Sequence, residues 1–231
     1  MDTARNTIYH VIIPAGGSGS RMNLPIAKQY LMIGRYPLIY YTIRKFYHLE
    51  AVNRIIIAVS PSSISLMENW AVEWRMSDKI RIVPGGATRQ DSVWSALQTI
   101  PDPSAFVMIH DAVRPYVSRE LIEESMAAVR DHHAVIPVIP VNDTIKLIRD
   151  HQEKMTPPRD RLVAVQTPQV FRLDLIRQAI QMVIQNSITV TDDAMAVELA
   201  GYPVFTIPGE ESNRKITTPE DLNHIREDRL V

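Results

Sequence analysis

A mostly parallel α/β sheet flanked by helices, with a protruding β-hairpin arm, is the fold this sequence predicts. Three features carry the prediction. Short, nearly continuous apolar runs alternate with segments of period near 3.6, the pattern of buried parallel strands joined by helical crossovers. Glycine is scarce but bunched at the ends of two of those runs. Between residues 141 and 166 the rhythm breaks into exposed, alternating segments.

Tyr9–Pro14, Arg54–Ser60, Ile80–Pro84 and Ala105–His110 read as buried strands. Helical stripes lie between and after them: Ile64, Met67, Trp70 and Trp74; Val93, Leu97 and Ile100; Leu121, Ile122, Met126 and Val129. The tryptophans and methionines of these stripes read as core. Ala134–Val141 is a further strand. Asp143–Arg149 then alternates like a half-exposed strand, HQEKMTPPRDR reads as a polar turn, and Leu162–Val165 as the returning strand, which together make the arm. A helix carrying Leu175, Ile176, Ala179, Ile180 and Val183 follows, then a shorter one near Ala194–Ala200 and a strand at Val204–Pro208. The last helix has Thr218 as cap, Pro219 in its first turn, and Glu220 and Asp221 against the dipole. One domain spanning 1–231, with 141–166 as an arm within it, is the expected organisation.

The composition of the 231 residues, 45% hydrophobic and 22% charged, is that of a globular chain able to bury a core. The formal net charge of −1 argues against a polybasic nucleic-acid or membrane-surface protein. No apolar run reaches the roughly 18 residues of a membrane span, and the start lacks a signal-peptide pattern, so the cytoplasm is expected. Cysteine is absent, which removes thiolate chemistry, disulfides and cysteine zinc sites. His132 and His133 are adjacent and cannot share a helix face, so they suggest no zinc site.

Only 8 glycines are present, where average usage gives about 16. Gly16, Gly17 and Gly19 follow the first strand in PAGGSGSRM, with Arg21 and Lys28 close behind. Bare backbone N–H groups there can line an anion, and the two cations add charge beside it. The dinucleotide fingerprint fails because its third glycine would be Met22, and no Gly-Lys-Ser/Thr of a Walker A loop follows. A glycine loop carrying arginine then lysine remains, of the kind nucleotidyltransferases use on a triphosphate. Gly85 and Gly86 open GGATRQDSV at the end of the third strand, where backbone groups with the Ser92 hydroxyl face a base, or where Asp91 or Ser92 caps a helix. Gly34, Gly201 and Gly209 read as turns. Asp111, in HDAVRP at the end of the fourth strand, lies where open α/β sheets bind ligands, and is placed to hold a ribose hydroxyl or help position Mg²⁺. His110 reads as a packed residue with no catalytic task.

The ordered set PAGGSGSRM, AKQYL, GGATRQDSV, HDAVRP, NDTIK, QTPQVF, TDDA and RKITTPEDL resembles the 2-C-methyl-D-erythritol 4-phosphate cytidylyltransferases of the non-mevalonate isoprenoid pathway. The resemblance spans about Val11 to Leu222. It implies a Rossmann-like fold of the nucleotide-diphospho-sugar-transferase type, and transfer of CMP from CTP, with Mg²⁺, to the polyol phosphate. It implies Arg21, Lys28, Arg159 and Lys215 as the catalytic cations. Pro14, Ala15, Gly16, Gly17, Gly19, Gly86, Ala87, Ser92, Asp111 and Ala112 would hold the nucleotide. Thr144, Arg114, Arg159, Thr167 and Lys215 would hold the polyol phosphate, with Arg161 as the alternative arm cation. The resemblance also implies a homodimer in which each arm, with Thr144 and Arg159, serves its neighbour's site. Gly16, Ala27, Pro158 and Val163 depart from the family's usual residues.

A pentitol-phosphate cytidylyltransferase acting on ribitol 5-phosphate shares the loop, HDxVRP and QTPQ, while TDDA favours the methylerythritol enzyme. Outside the class stand an NAD-dependent oxidoreductase, which lacks its fingerprint here, and a non-catalytic nucleotide sensor, against which the set of cations argues.

Overall fold

A computed structural model describes residues 7–17, 26–149, 152–223, 225 and 230. Its main sheet is built on β1 (Tyr9–Pro14), β4 (Val52–Val59), β5 (Ile80–Pro84) and β6 (Phe106–Ile109), all mutually parallel, in spatial order β5-β4-β1-β6. Beyond β6 come β11 (Gln169–Arg172), β7 (Ala134–Pro140) and two strands paired with β7, β10 (Val163–Val165) and β12 (Phe205–Pro208). The sheet is mixed, because β11 runs antiparallel to both β6 and β7, and β10 antiparallel to β7. Within QTPQVF the sequence reading saw a motif and no strand.

Strand faces alternate between two apolar layers, which is why the runs read as continuous. Val11, Ile13, Ile55 and Ile57 face one layer; α1 (Leu38–Tyr47) sends Ile39, Ile43 and Phe46 into it, α2 (Ile64–Glu73) adds Met67, and α4 (Arg119–His132) adds Ile122 and Val129. Ile12, Ile56 and Ile109 face the other, beneath α3 (Arg89–Leu97), α5 (Leu173–Gln185) and α6 (Asp193–Leu199). Trp70 and Trp74 are half-buried at the rim of the first layer rather than inside it. α1 escaped the sequence reading because Pro37 precedes it, no side chain caps it, and its aromatic and β-branched residues are weak helix formers. A short hairpin, β2 (Met32–Ile33) with β3 (Tyr36–Pro37), leads into it around Gly34 at φ 58°.

The arm differs from its expected pairing. β8 (Leu147–Arg149) pairs antiparallel with β9 (Gln152–Met155), a strand inside the stretch read as a polar turn. Val163–Val165 returns instead to β7, with Val163 opposite Pro140. Open backbone groups along β7 accept a strand there, whereas the proline pair after Thr156 cannot donate ladder bonds to prolong β9. Gly209 also departs from a plain turn: a Cβ there would lie 2.7 Å from Gln166 Oε1 and 3.1 Å from the Val138 carbonyl. The last helix, α7 (Pro219–Asn223), follows Thr218 as expected. No helix among the described residues is long and apolar enough to cross a membrane.

Candidate active site

The C-terminal ends of β1, β5 and β6 open onto one cavity of about 300 Å³, at the crevice where strand order reverses about β1. Pro14, Ala15, Gly16 and Gly17 form one wall, Gly86, Ala87 and Ser92 another, and Asp111, Ala112, Lys28 and Lys215 complete it with Arg89 and Gln29. Gly19 and Arg21 lie outside the described residues.

The two glycine clusters owe their bareness to different causes. A Cβ on Gly86 would fall 2.2 Å from that of Asp91, and one on Gly85 2.9 Å from Ser92 Oγ, so close approach by the first turn of α3 demands glycine at both. A Cβ on Gly17 would meet no protein atom within 4 Å, so the space beside it is left to the cavity. Buried Gln29, at the centre of AKQYL, donates through Nε2 to the carbonyls of Ala15 (2.7 Å) and Gly17 (2.9 Å) and holds the start of that loop.

Thr88, not Asp91 or Ser92, caps α3, in a reciprocal capping box with Asp91. The Ser92 hydroxyl donates to the Thr88 carbonyl and accepts the Gly86 N–H, so its proton is committed to shaping the turn.

Asp111 is the charge centre. Lys215 Nζ lies 3.0 Å and Arg114 Nε 3.3 Å from Oδ2, and Arg89 Nε lies 3.6 Å from Oδ1. Burial alone would raise this carboxyl, but Arg89, Lys215 and Arg114 outweigh it and hold it well below the usual carboxylate range. Its charge is thus already matched, and the described residues contain no cluster of three His, Asp or Glu able to hold a metal ion. Among the described residues no protein cage for a divalent cation is formed.

Arg89, Asp111 and Lys215 also border a second cavity of about 170 Å³, with Arg114, Thr167, Gln169, Thr191 and Asp192. The two glutamines of QTPQ assemble its walls. Gln166 donates to the Glu210 carbonyl and accepts the Glu210 N–H, fixing the segment that leads to Lys215. Gln169 Oε1 accepts the N–H groups of Asp193 and Ala194, and its Nε2 donates to Asp192, fixing the start of α6. Arg114 Nη1 donates to the Asn213 carbonyl, and the Ile216 N–H to the Val113 carbonyl, so HDAVRP and RKITTPEDL are tied together.

His110 is fully buried, and burial pushes its imidazole down to about 4. The neutral ring has one consistent tautomer: Nε2–H donates to the Arg114 carbonyl, and Nδ1 accepts from Thr167 Oγ1, which in turn accepts the Asp111 N–H. The Thr167 hydroxyl is thereby committed as a donor within the protein.

Thr144 and Arg159 do not join the other site residues. Both are exposed on the arm, neither lines either cavity of its own chain, and Arg159 donates to the Asn142 carbonyl at 2.9 Å. Arg161 is likewise exposed. Arg89, Gln29 and Asp193 join the site without having been singled out in sequence, although all three lie inside quoted motifs, GGATRQDSV, AKQYL and TDDA. A charged residue beside the Gly85–Gly86 turn was the available signal for Arg89; nothing local announces the remote partner of a buried glutamine.

Residues 9–226 match the model of the family described as IspD, 2-C-methyl-D-erythritol 4-phosphate cytidylyltransferase. The chain is 40% identical over 214 residues to the protein of that name from Alkaliphilus oremlandii, covering 92% of this chain and 91% of the relative. It is 41% identical over 212 residues to that of Clostridium botulinum, covering 91% and 94%. Among solved structures, 4-diphosphocytidyl-2C-methyl-D-erythritol synthase from Anaerococcus prevotii superposes with a TM-score of 0.83 at 31% identity, covering 95% of this chain and 94% of that one.

Proposed function

Because the chain belongs to the 2-C-methyl-D-erythritol 4-phosphate cytidylyltransferase family, we propose that it transfers the cytidylyl group of CTP to 2-C-methyl-D-erythritol 4-phosphate in the non-mevalonate pathway. The observation that carries this reading is the pair of adjoining cavities sharing Arg89, Asp111 and Lys215. One is walled by a glycine loop and suits a nucleotide triphosphate; the other is small and cationic and suits a phosphate.

An oxygen of the acceptor 4-phosphate attacks the α-phosphorus of CTP in line. The new P–O bond forms as the bond to the bridging oxygen breaks, and pyrophosphate leaves with that electron pair. The nucleophile is already ionised, so no general base is needed. The work of the protein is to bring two anions together and stabilise the charge of the transition state. Pro14–Gly17 and Gly86–Ala87 present backbone groups to the nucleotide, with Asp111 and Ala112 beside its ribose. Lys28 serves the triphosphate, a task the family motif also gives to Arg21. Lys215 and Arg114 hold the acceptor phosphate, while Thr167, its hydroxyl spent on His110 and Asp111, shapes the wall beside them. A magnesium ion bound with the triphosphate would neutralise part of its charge and ease departure of pyrophosphate.

Thr144 and Arg159 reach a site in the neighbouring copy of a homodimer formed through the arm. In support, the arm exposes much of the apolar side chains of Ile145, Leu147, Ile148 and Met155. A cytoplasmic location and a single catalytic domain complete the reading. The test is pyrophosphate release from CTP with each polyol phosphate separately. Turnover with the methylerythritol phosphate supports the assignment; turnover only with ribitol 5-phosphate overturns it.

A further inference from the structure

Asp193 is buried beside the site with no solvent to support its charge: its side chain is 1% exposed. Its Oδ2 accepts from Arg89 Nη2 at 2.7 Å, while Nε, on the same edge of the guanidinium, lies 3.6 Å from Asp111 Oδ1; Arg89 is 32% exposed and borders both cavities. Asp193 itself is held, because Gln169 Oε1 receives its N–H and that of Ala194. The guanidinium is thus held along one edge between Asp111 and a carboxylate whose backbone is clamped, and, a third exposed, it still borders both cavities, where an anion can meet its remaining N–H groups.

A purely structural staple would not need Asp193 for the local fold. The start of α3 is already closed by the Thr88–Asp91 capping box, and that of α6 by the Asp192 side chain accepting from the Met195 N–H. We infer that Asp193 is a positioning residue for the transfer step: it aims Arg89 at the junction of the cavities, where Arg89 receives the acceptor phosphate as it approaches the nucleotide. This inference rests on the cytidylyl transfer proposed above.

The experiment is a double-mutant cycle on the full chain, with pyrophosphate release read against each substrate. Asp193→Asn is expected to lower kcat/KM for the acceptor about tenfold or more, with KM for CTP changed less than about twofold. Arg89→Gln is expected to lose at least as much. The double variant should match Arg89→Gln within about threefold, since a positioning residue has nothing to act on once its target is gone. Should Asp193→Asn fail to fold, the double variant, in which both charges of the pair are gone, is compared with Arg89→Gln alone. Equal activity supports the inference and a further loss overturns it. Additive losses, or a lowered melting temperature with unchanged acceptor kinetics, also overturn it. No turnover by the unsubstituted chain with either polyol phosphate would refute the transfer itself, whereas normal turnover with additive losses refutes only the role of Asp193.

Discussion

Asp111→Asn removes one negative charge from among three positive ones and changes almost no volume. At separations of 3.0, 3.3 and 3.6 Å, each cation is attracted by about 5 kcal/mol at an effective dielectric near 20. Most of that is offset by desolvation, by repulsion among the cations, and by screening of Arg89 and Lys215, whose side chains are about a third exposed. Breaking a buried ion pair from one side leaves a net loss of about 3–5 kcal/mol, and the solvent-facing edge of this cluster places the expected value near 3. For a chain of this length that corresponds to a fall in Tm of about 6–12 °C. Differential scanning calorimetry at pH 7 measures it. The uncompensated cations should also draw in an anion, so added phosphate should raise the Tm of the variant more than that of the parent. A variant melting within about 2 °C of the parent and responding equally to phosphate would refute the view that Asp111 holds this cluster together.

Lys28→Ala is expected to lower turnover by at least about 10²-fold with an unchanged circular dichroism spectrum; near-normal pyrophosphate release would remove Lys28 from the catalytic set. His110, with its folded value lowered to about 4, contributes stability that is full above the ordinary histidine range near 6.5 and is lost as pH falls toward 4. Its loss amounts to about 3 kcal/mol across that window, so urea titrations of the parent at pH 7 and 4.5 should differ by more than those of His110→Asn, and identical pH dependences would contradict the buried neutral ring. Asp111 adds a separate acid limb: its lowered value makes its contribution present above about 4 and lost below that, a limb that Asp111→Asn should lack. Ile148→Ser with Leu147→Ser on the arm should shift sedimentation toward the monomer and reduce turnover together, while a variant that remains dimeric would place the interface elsewhere.

Much of the fold was legible in the residues. Continuous β-branched runs such as RIIIAVS are readable because a strand buried on both faces needs no partner information to declare itself. β11 was not, since Gln169–Arg172, which begins inside QTPQVF and runs one residue past it, becomes a strand only through its place between β6 and β7. The arm shows the same limit. Period-two alternation marked exposed strands correctly as a class, yet pairing belongs to both strands, and Val163–Val165 found β7 rather than Asp143–Arg149. At the site, glycines and cations following strand ends were visible as an anion-binding pattern. The tasks of Gln29, Gln166 and Gln169 were hidden, because an amide side chain looks the same in sequence whether it faces water or clamps a distant loop.

By itself the sequence determined the layered α/β class, the positions of both glycine turns, the absence of cysteine chemistry and the motif order that marks the family. These are properties of short-range pattern, governed by strand and helix periods and by what a missing Cβ allows. Only the tertiary structure decided that Arg89, Arg114 and Lys215 meet on one carboxylate, that Asp193 pairs with Arg89, and that two cavities share a wall. Residue 89 lies 104 positions from residue 193, and no local rule of propensity or spacing brings them together. The charge balance that makes the site work exists only once packing has removed the water between them.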